Sequence, residues 1–364
     1  MALRVLHIID SLAQGGAEAL VKDMIPRMRR RGVDVALAVL AELDSPFERE
    51  LRSQRVPFLP TAAGGIYSPK HVFALMPHLS DFDLVHSHLF PAQLFTPMAA
   101  MLSGSKVPLL LTEHTTQHRR RKKWLHPLEK WMYGRYTRIA CVSEASAENL
   151  RAWVPALGET ITVVPNGIDV QKFQHAAAVS RSSIGINNGN CLLLYIASFQ
   201  QRKDHGTLLR AVAQISDVDL LLVGDGELHR QFERQAESLG IAQRVHFLGA
   251  RTDVAELLKL ADIYVHVPVF EGFGIAAAEA MAAGKPIIAS NVPGLAQVVG
   301  DAAVLVSPGD SEALATAIRR LIASPEQRLQ LGGAALRRSN QFSIERTVEG
   351  YIELYQNILA RTET

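Results

Sequence analysis

The sequence predicts an α/β chain folded as two doubly wound Rossmann-like domains facing each other. Three observations carry that expectation. Short β-branched and apolar runs alternate with amphipathic segments from one end to the other, which is the pattern of parallel strands wrapped by helices. The alternation runs once through the first half and then repeats, and 364 residues suffice for two cores. Several runs end at Gly-rich loops that lead into helices, where parallel sheets hold their ligands.

The first domain takes its strands from Val5–Ile9, Val33–Leu40, Val56–Leu59, Asp83–His86, Val107–Thr112, Arg138–Val142 and Ile161–Val164. The second takes Cys191–Ala197, Val218–Gly224, Val245–Leu248, Ile263–Val267, Pro286–Ser290 and Ala303–Val306. The join falls near Pro165–Gln174, giving an N-terminal domain over 1–170 and a C-terminal domain over 171–344. Val348, Tyr351, Ile352, Leu354, Tyr355 and Ile358 recur at helical spacing, so 345–364 reads as a packed terminal helix. Pro26, inside the first amphipathic segment, should kink that helix or break it.

Composition narrows the class. With 48% hydrophobic and 20% charged residues the chain reads as globular, and a formal net charge of +2 gives no reason to expect nucleic acid as a partner. Cys141 and Cys191 lie in apolar runs, as reduced core thiols of a cytoplasmic protein would. The opening MALRVLHIID enters a strand directly, without the features of a signal peptide. The apolar stretches near Leu89–Leu102 and Ile275–Ala289 are too short or too interrupted to span a bilayer, so any membrane contact should be peripheral.

The stretch Val267–Pro286, VPVFEGFGIAAAEAMAAGKP, concentrates the chemistry. Gly272 and Gly274 clear side chains from the start of a short Ala-rich helix, so a diphosphate could meet the backbone and the positive end of the dipole. Gly284 and Pro286 stop that helix. Glu271 and Glu279 would be repelled by phosphate and are better suited to sugar hydroxyls. Gly15-Gly16, after the first strand, is a second candidate anion-binding helix start. Arg202 and Lys203 stand at a strand end, where cations could neutralise a leaving diphosphate. Gly224-Asp225-Gly226 also ends a strand, but His229 replaces the last glycine of a dinucleotide fingerprint.

His86 and His88 share a side of their strand, a pattern that raises a metal site. Spacing supplies no further ligand, so they are assigned as cleft or core histidines and no metal is assigned. His114, at the end of its strand, is the better candidate for chemistry. The basic run His118–Lys123, with Trp124 beside it, suits either a solvated loop or an anionic surface such as a membrane or a phosphorylated acceptor.

Together these pieces resemble the retaining glycosyltransferases of family four, which adopt the two-domain GT-B fold. The resemblance spans nearly the whole chain and rests on Gly15-Gly16-Ala17-Glu18, Glu113-His114-Thr115, Val142-Ser143-Glu144, Pro165-Asn166-Gly167-Ile168-Asp169, Lys203-Asp204-His205, Gly224-Asp225-Gly226 and Glu271-Gly272-Phe273-Gly274 with Glu279. It implies a C-terminal domain that holds a nucleotide-sugar donor, a UDP- or GDP-sugar. Glu279 would hold the ribose, Glu271 the donor sugar, and the backbone of Gly272, Phe273, Gly274 and Ile275 the diphosphate. The base would lie by Gly249–Arg251, with Arg251 beside it, and Asn166, Ser198, Arg202 and Gly224 would complete the binding set. From the acceptor-side N-terminal domain Gly15, Gly16 and His114 would face the cleft, with His114, Glu271 and Lys203 catalytic. The terminal helix would cross back onto that domain.

Two positions depart from the family pattern. The arginine of an Arg-x4-Lys pair aligns with Ser198, leaving Lys203 with Arg202 as the neighbouring cation, and Gln297 stands where a glutamate often follows the Pro-Gly turn. The implied reaction is metal-independent transfer of a sugar, with retention, to a hydroxyl of a lipid-linked or surface-polysaccharide glycan, at the inner face of the membrane. An epimerase or hydrolase acting on the same donor, or a non-catalytic glycan-assembly subunit, is the rival reading.

Overall fold

In the computed structural model, which describes residues 2–13, 15–116, 121–186 and 189–362, the chain divides into two compact α/β units. One comprises Met1–Gly167 with Ile344–Thr364, the other Ile168–Ser343.

The first unit is a sheet of seven parallel strands: β1 (Arg4–Ser11), β2 (Asp34–Ala41), β3 (Phe58–Leu59), β4 (Leu84–His88), β5 (Leu109–Glu113), β6 (Arg138–Cys141) and β7 (Ile161–Val163), in the order β3-β2-β1-β4-β5-β6-β7. The second is a sheet of six: β8 (Cys191–Ile196), β9 (Val218–Val223), β10 (Val245–Phe247), β11 (Ile263–His266), β12 (Ile287–Ser290) and β13 (Ala303–Val306), ordered β10-β9-β8-β11-β12-β13. In each sheet the order reverses beside the first strand, between β1 and β4 and between β8 and β11. Strand ends on either side of such a reversal diverge and leave room for a ligand.

Every strand lies on one of the apolar runs, and prolines set several of their starts. Pro57, Pro108 and Pro286 each precede a strand's first residue, because proline has no N–H to give the ladder. Each sheet carries its own core. In the first unit Leu6, Ile8, Val85, Leu111 and Ile139 pack with Tyr133 and Leu150 from helices; in the second Tyr195, Leu220, Leu222, Val265 and Ile288 pack with Leu208, Phe232 and Ile318. Cys141 and Cys191 are free thiols, and burial pushes them up to about 12 and about 11.

Pro26 does not break its helix. Gly16–Arg30 is continuous, and Pro26 is buried within it, as are Met24, Ile25 and Met28. Burial of the helix outweighs the one hydrogen bond the ring removes.

The terminal helix Ile344–Thr362 belongs to the first unit, with Val348, Tyr351, Tyr355 and Ile358 fully or almost fully buried. Its first turns are tied to the Gly16–Arg30 helix end: Arg27 Nε lies 3.0 Å from Glu345, and Arg31 lies 2.8 Å from Glu345 and 3.0 Å from Glu349. No described helix is long and apolar enough to cross a membrane.

Candidate functional site

In the second unit the site grows from the diverging ends of β8 and β11. After β8 the chain enters Ala197–Asp204, where Asp204 at φ +49° caps the helix His205–Val212 by accepting from Thr207 N at 3.2 Å. After β11 it enters Val267–Gly274. Val269 N donates to the Arg202 carbonyl at 2.9 Å, so the two loops are joined through their backbones. The Lys203 ammonium and the Glu271 carboxylate then form an ion pair, each side chain only 12% exposed.

Glu271 gathers more donors. His266 Nε2 lies 3.4 Å from the same oxygen that Lys203 holds, and Gly272 N donates to the other at 3.2 Å. His266 Nδ1 is in turn 3.1 Å from the Tyr264 hydroxyl. Burial alone would raise the Glu271 carboxyl; Lys203, seconded by His266, holds it well below the usual carboxylate range. Burial pushes the Lys203 ammonium down and Glu271 partly restores it, while the His266 ring, buried too, is lowered.

Gly274 stands at φ +92° as the N-cap of the helix Ile275–Ala282, which has no side-chain cap. Ile275 N and Ala276 N have no hydrogen-bond partner among the described residues and are open to a ligand or to water, whereas Ala277 N donates to Gly274 O at 3.0 Å. Close packing fixes the loop: a Cβ on Gly294 would run into the carbonyl oxygens of Glu271 and Gly272. Phe273 is buried and meets Phe342 edge-on at 5.3 Å, so its side chain anchors the loop while its backbone stays beside the helix start. Glu279 is partly buried in the helix that follows.

Around this centre the other predicted residues are distributed as follows. Arg202 turns to Gln200, 3.1 Å away, and Ser198 lies partly exposed in the same loop. Gly224, at φ +138°, ends β9; a Cβ there would strike the Ala197 carbonyl, so glycine lets the β9 loop press on the β8 loop. Gly224 N also donates to Gly249 O at 2.9 Å, which draws in the segment leading to Arg251. Arg251 itself makes a bidentate pair with Asp253 at 2.7 and 2.6 Å.

In the first unit, His114 follows β5 directly, with Nε2 3.2 Å from His88 Nδ1. Burial lowers its ring to about 4, leaving it neutral near pH 7. Gly15 and Gly16 open the first helix, but the Glu18 carboxylate folds over Gly15 where a Cβ would sit. The expected open anion seat thus carries an acid of the protein's own, and repulsion disfavours a phosphate there. Asn166 is 3% exposed, with its side-chain oxygen unpartnered among the described residues. Of the basic run, His118, Arg119 and Arg120 lie outside the described residues; Arg121 folds back on Thr116 O at 3.0 Å, and Trp124 is exposed.

Sequence reasoning passed over His266 and Tyr264, reading them only as strand, although a His and a Tyr two apart share a side of β11. It also passed over His7, Tyr351 and Tyr355, which join His86, His88 and His114 through contacts 81 to 348 residues apart.

The geometry defines a class: doubly wound α/β units, one bearing a buried Lys–carboxylate pair against an uncapped, glycine-led helix. Comparison with known proteins gives the family. The family model for group 1 glycosyl transferases matches residues 178–338, and that for Glycosyltransferase Family 4 matches 14–172. The chain belongs to this glycosyltransferase family and adopts its GT-B fold. It is 30% identical over 308 residues to the MMP alpha-(1->4)-mannosyltransferase of Mycolicibacterium hassiacum, covering 77% of this chain and 72% of that protein. It is 27% identical to the lipopolysaccharide core biosynthesis glycosyltransferase LpsD of Rhizobium meliloti, over 99% of this chain and 100% of that one. Among solved structures, Anabaena HepE in complex with UDP-glucose superposes with a TM-score of 0.86 at 22% identity, covering 98% of this chain and 100% of that one.

Proposed function

We propose that this glycosyltransferase moves a sugar, with retained configuration, from a nucleoside-diphosphate sugar to a hydroxyl of a lipid-linked or surface-polysaccharide glycan. The observation that carries the reading is the buried Lys203–Glu271 pair beside the Gly274-led helix. A diphosphate drawn to the helix start adds negative charge next to Lys203, and charge developing on the leaving group is met by that ammonium and by the helix dipole without a metal. Glu271, released in part from Lys203, turns an oxygen to the sugar hydroxyls. Glu279 binds the ribose and Arg251 flanks the base, while His114 is the catalytic candidate of the first unit.

The relatives support the substrate class without fixing it. HepE was crystallised with UDP-glucose, and LpsD is named for lipopolysaccharide core synthesis. The test is a panel of UDP- and GDP-sugars read by melting temperature, followed by each stabilising donor with and without glycan acceptors. The expected result is one donor that raises the melting temperature and a product that keeps the anomeric configuration. Donor epimerised, or hydrolysed equally fast without any acceptor, would instead favour the epimerase or hydrolase reading. Absence of any donor effect would leave the assembly-subunit reading.

A further inference from the structure

Behind His114 the first unit contains an unbroken chain of buried hydrogen bonds. His114 Nε2 meets His88 Nδ1 at 3.2 Å, His88 Nε2 meets His7 Nδ1 at 3.0 Å, and His7 Nε2 meets the Tyr355 hydroxyl at 3.3 Å. That hydroxyl meets His86 Nδ1 at 2.8 Å, His86 Nε2 meets Thr112 Oγ1 at 2.7 Å, and Thr112 Oγ1 meets the Tyr351 hydroxyl at 2.9 Å. His7, His86, His88 and Thr112 are fully buried, as are both tyrosines.

His7, His86 and His88 also bring potential ligand atoms within 4.8 Å of one another, the pattern of a metal site. Every nitrogen of those three rings, however, already has a protein partner, and the hydrogen bonds are what fix the rings in place.

Proton counting gives the chain a direction. The rings are neutral: burial lowers His7 to about 3 and His114 to about 4, and takes His86 and His88 well below the ordinary range. A neutral imidazole has one N–H and one bare nitrogen, so each ring that donates on one side accepts on the other. The four rings and three hydroxyls carry seven protons between them for the six bonds just given.

One proton is left over, and its place decides the tautomers. On His114 Nδ1 it has no acceptor among the described residues, and on Thr112 or Tyr351 it has none there either, since those hydroxyls meet only members of the chain. On Tyr355 it does have one: the hydroxyl points to Met28 Sδ at 3.8 Å, and a thioether sulfur can only accept. Tyr355 then receives N–H groups from His7 and from His86. A weak acceptor is favoured over none, since a buried orphan donor costs on the order of 1–3 kcal/mol.

We propose that the chain Tyr355–His7–His88 is a positioning relay that fixes His114 as the tautomer protonated on Nε2, so that Nδ1 is a bare acceptor for a substrate hydroxyl. The functional sense of the relay rests on the reading of His114 as a donor-side or acceptor-side contact; the tautomer itself does not. Nδ1 of a ring held this way accepts a hydrogen bond from a sugar O–H and gives none to a phosphate or carbonyl oxygen. The relay makes the terminal helix part of the chemistry of His114, because its Tyr355 sets the proton on a ring that follows β5.

The experiment is a two-bond 1H–15N spectrum of the full-length protein labelled with 15N-histidine at pH 7.5, with rings assigned through His→Gln variants. The expected result is Nε2–H on His7, His88 and His114 and Nδ1–H on His86. A proton on His114 Nδ1, or opposite tautomers within the three, overturns the proposal. Tyr355→Phe removes the double acceptor, and His114 should then show both tautomers. A folded Tyr355→Phe protein that keeps His114 purely Nε2–H would show that Tyr355 does not set it. No donor or acceptor is added, so a failed transfer assay leaves this measurement intact, and a failed relay leaves the transferase reading intact.

Discussion

At the scale of single residues, the Lys203–Glu271 pair links stability and chemistry, and the two can be pulled apart. Lys203→Met leaves a carboxylate buried without its counter-charge, a loss of about 3–5 kcal/mol. The double variant Lys203→Met with Glu271→Gln removes both charges and should recover most of the melting temperature while transfer stays at least about 100-fold down. Recovery of transfer in the double variant would show that neither charge acts in the reaction. The acid range separates this pair from Asp10, at the end of β1. Glu271 is depressed in the fold, so its contribution is complete above its unfolded value and fades as pH falls through the folded one. Asp10 has the opposite sign. Burial raises it from 3.8 to about 6, so the fold holds its proton more tightly than the unfolded chain does, and the stability gained at low pH disappears as pH climbs from about 4 to about 6. Asp10→Asn should therefore raise the melting temperature by a few degrees at pH 7.5 and by much less at pH 4. An equal shift at both values would show that Asp10 titrates normally.

At the scale of elements, the loops carry the site only because glycines let them pack. Gly294 has no functional group, yet a methyl on it would meet the carbonyls of Glu271 and Gly272, backbone atoms with no rotamer to escape into. Gly294→Ala should shift the loop that aims Glu271 and lower turnover about 10–100-fold, with donor affinity measured alongside. Unchanged turnover would mean that this loop tolerates displacement. The glycine-led helix at Ile275 and its stop at Gly284, φ +73°, were legible because local rules govern both. So were the strands, whose apolar runs leave little choice of period. The ion pair was not legible: Lys203 and Glu271 were both picked out, but as separate groups, since nothing local relates residues 68 apart. At Pro26 the local rule allowed a kink or a break, and of these the break is absent because core packing keeps the helix continuous.

At the scale of the molecule, the terminal helix is the feature whose meaning changed most. Helical spacing was enough to expect a packed amphipathic helix, but its polar contacts were invisible, because Tyr351 and Tyr355 use their hydroxyls on Thr112 and His86 respectively, hundreds of residues earlier. An apolar stripe does not announce that two of its members end in buried hydroxyls. The chain returns to the first unit only at Ile344, after the second unit has been completed. Each unit nevertheless has its own sheet and core, so a lesion in the helix should be felt unequally. Tyr351→Ala deletes a fully buried aromatic side chain and leaves Thr112 one hydrogen bond short, a loss of about 3–5 kcal/mol. Hydrogen exchange should then accelerate in β4 and β5, which carry His86 and Thr112, while β8, β9 and β11 keep their protection. Uniform acceleration in both sheets would mean that the two units unfold as one, and the terminal helix would then be a clasp for the entire chain.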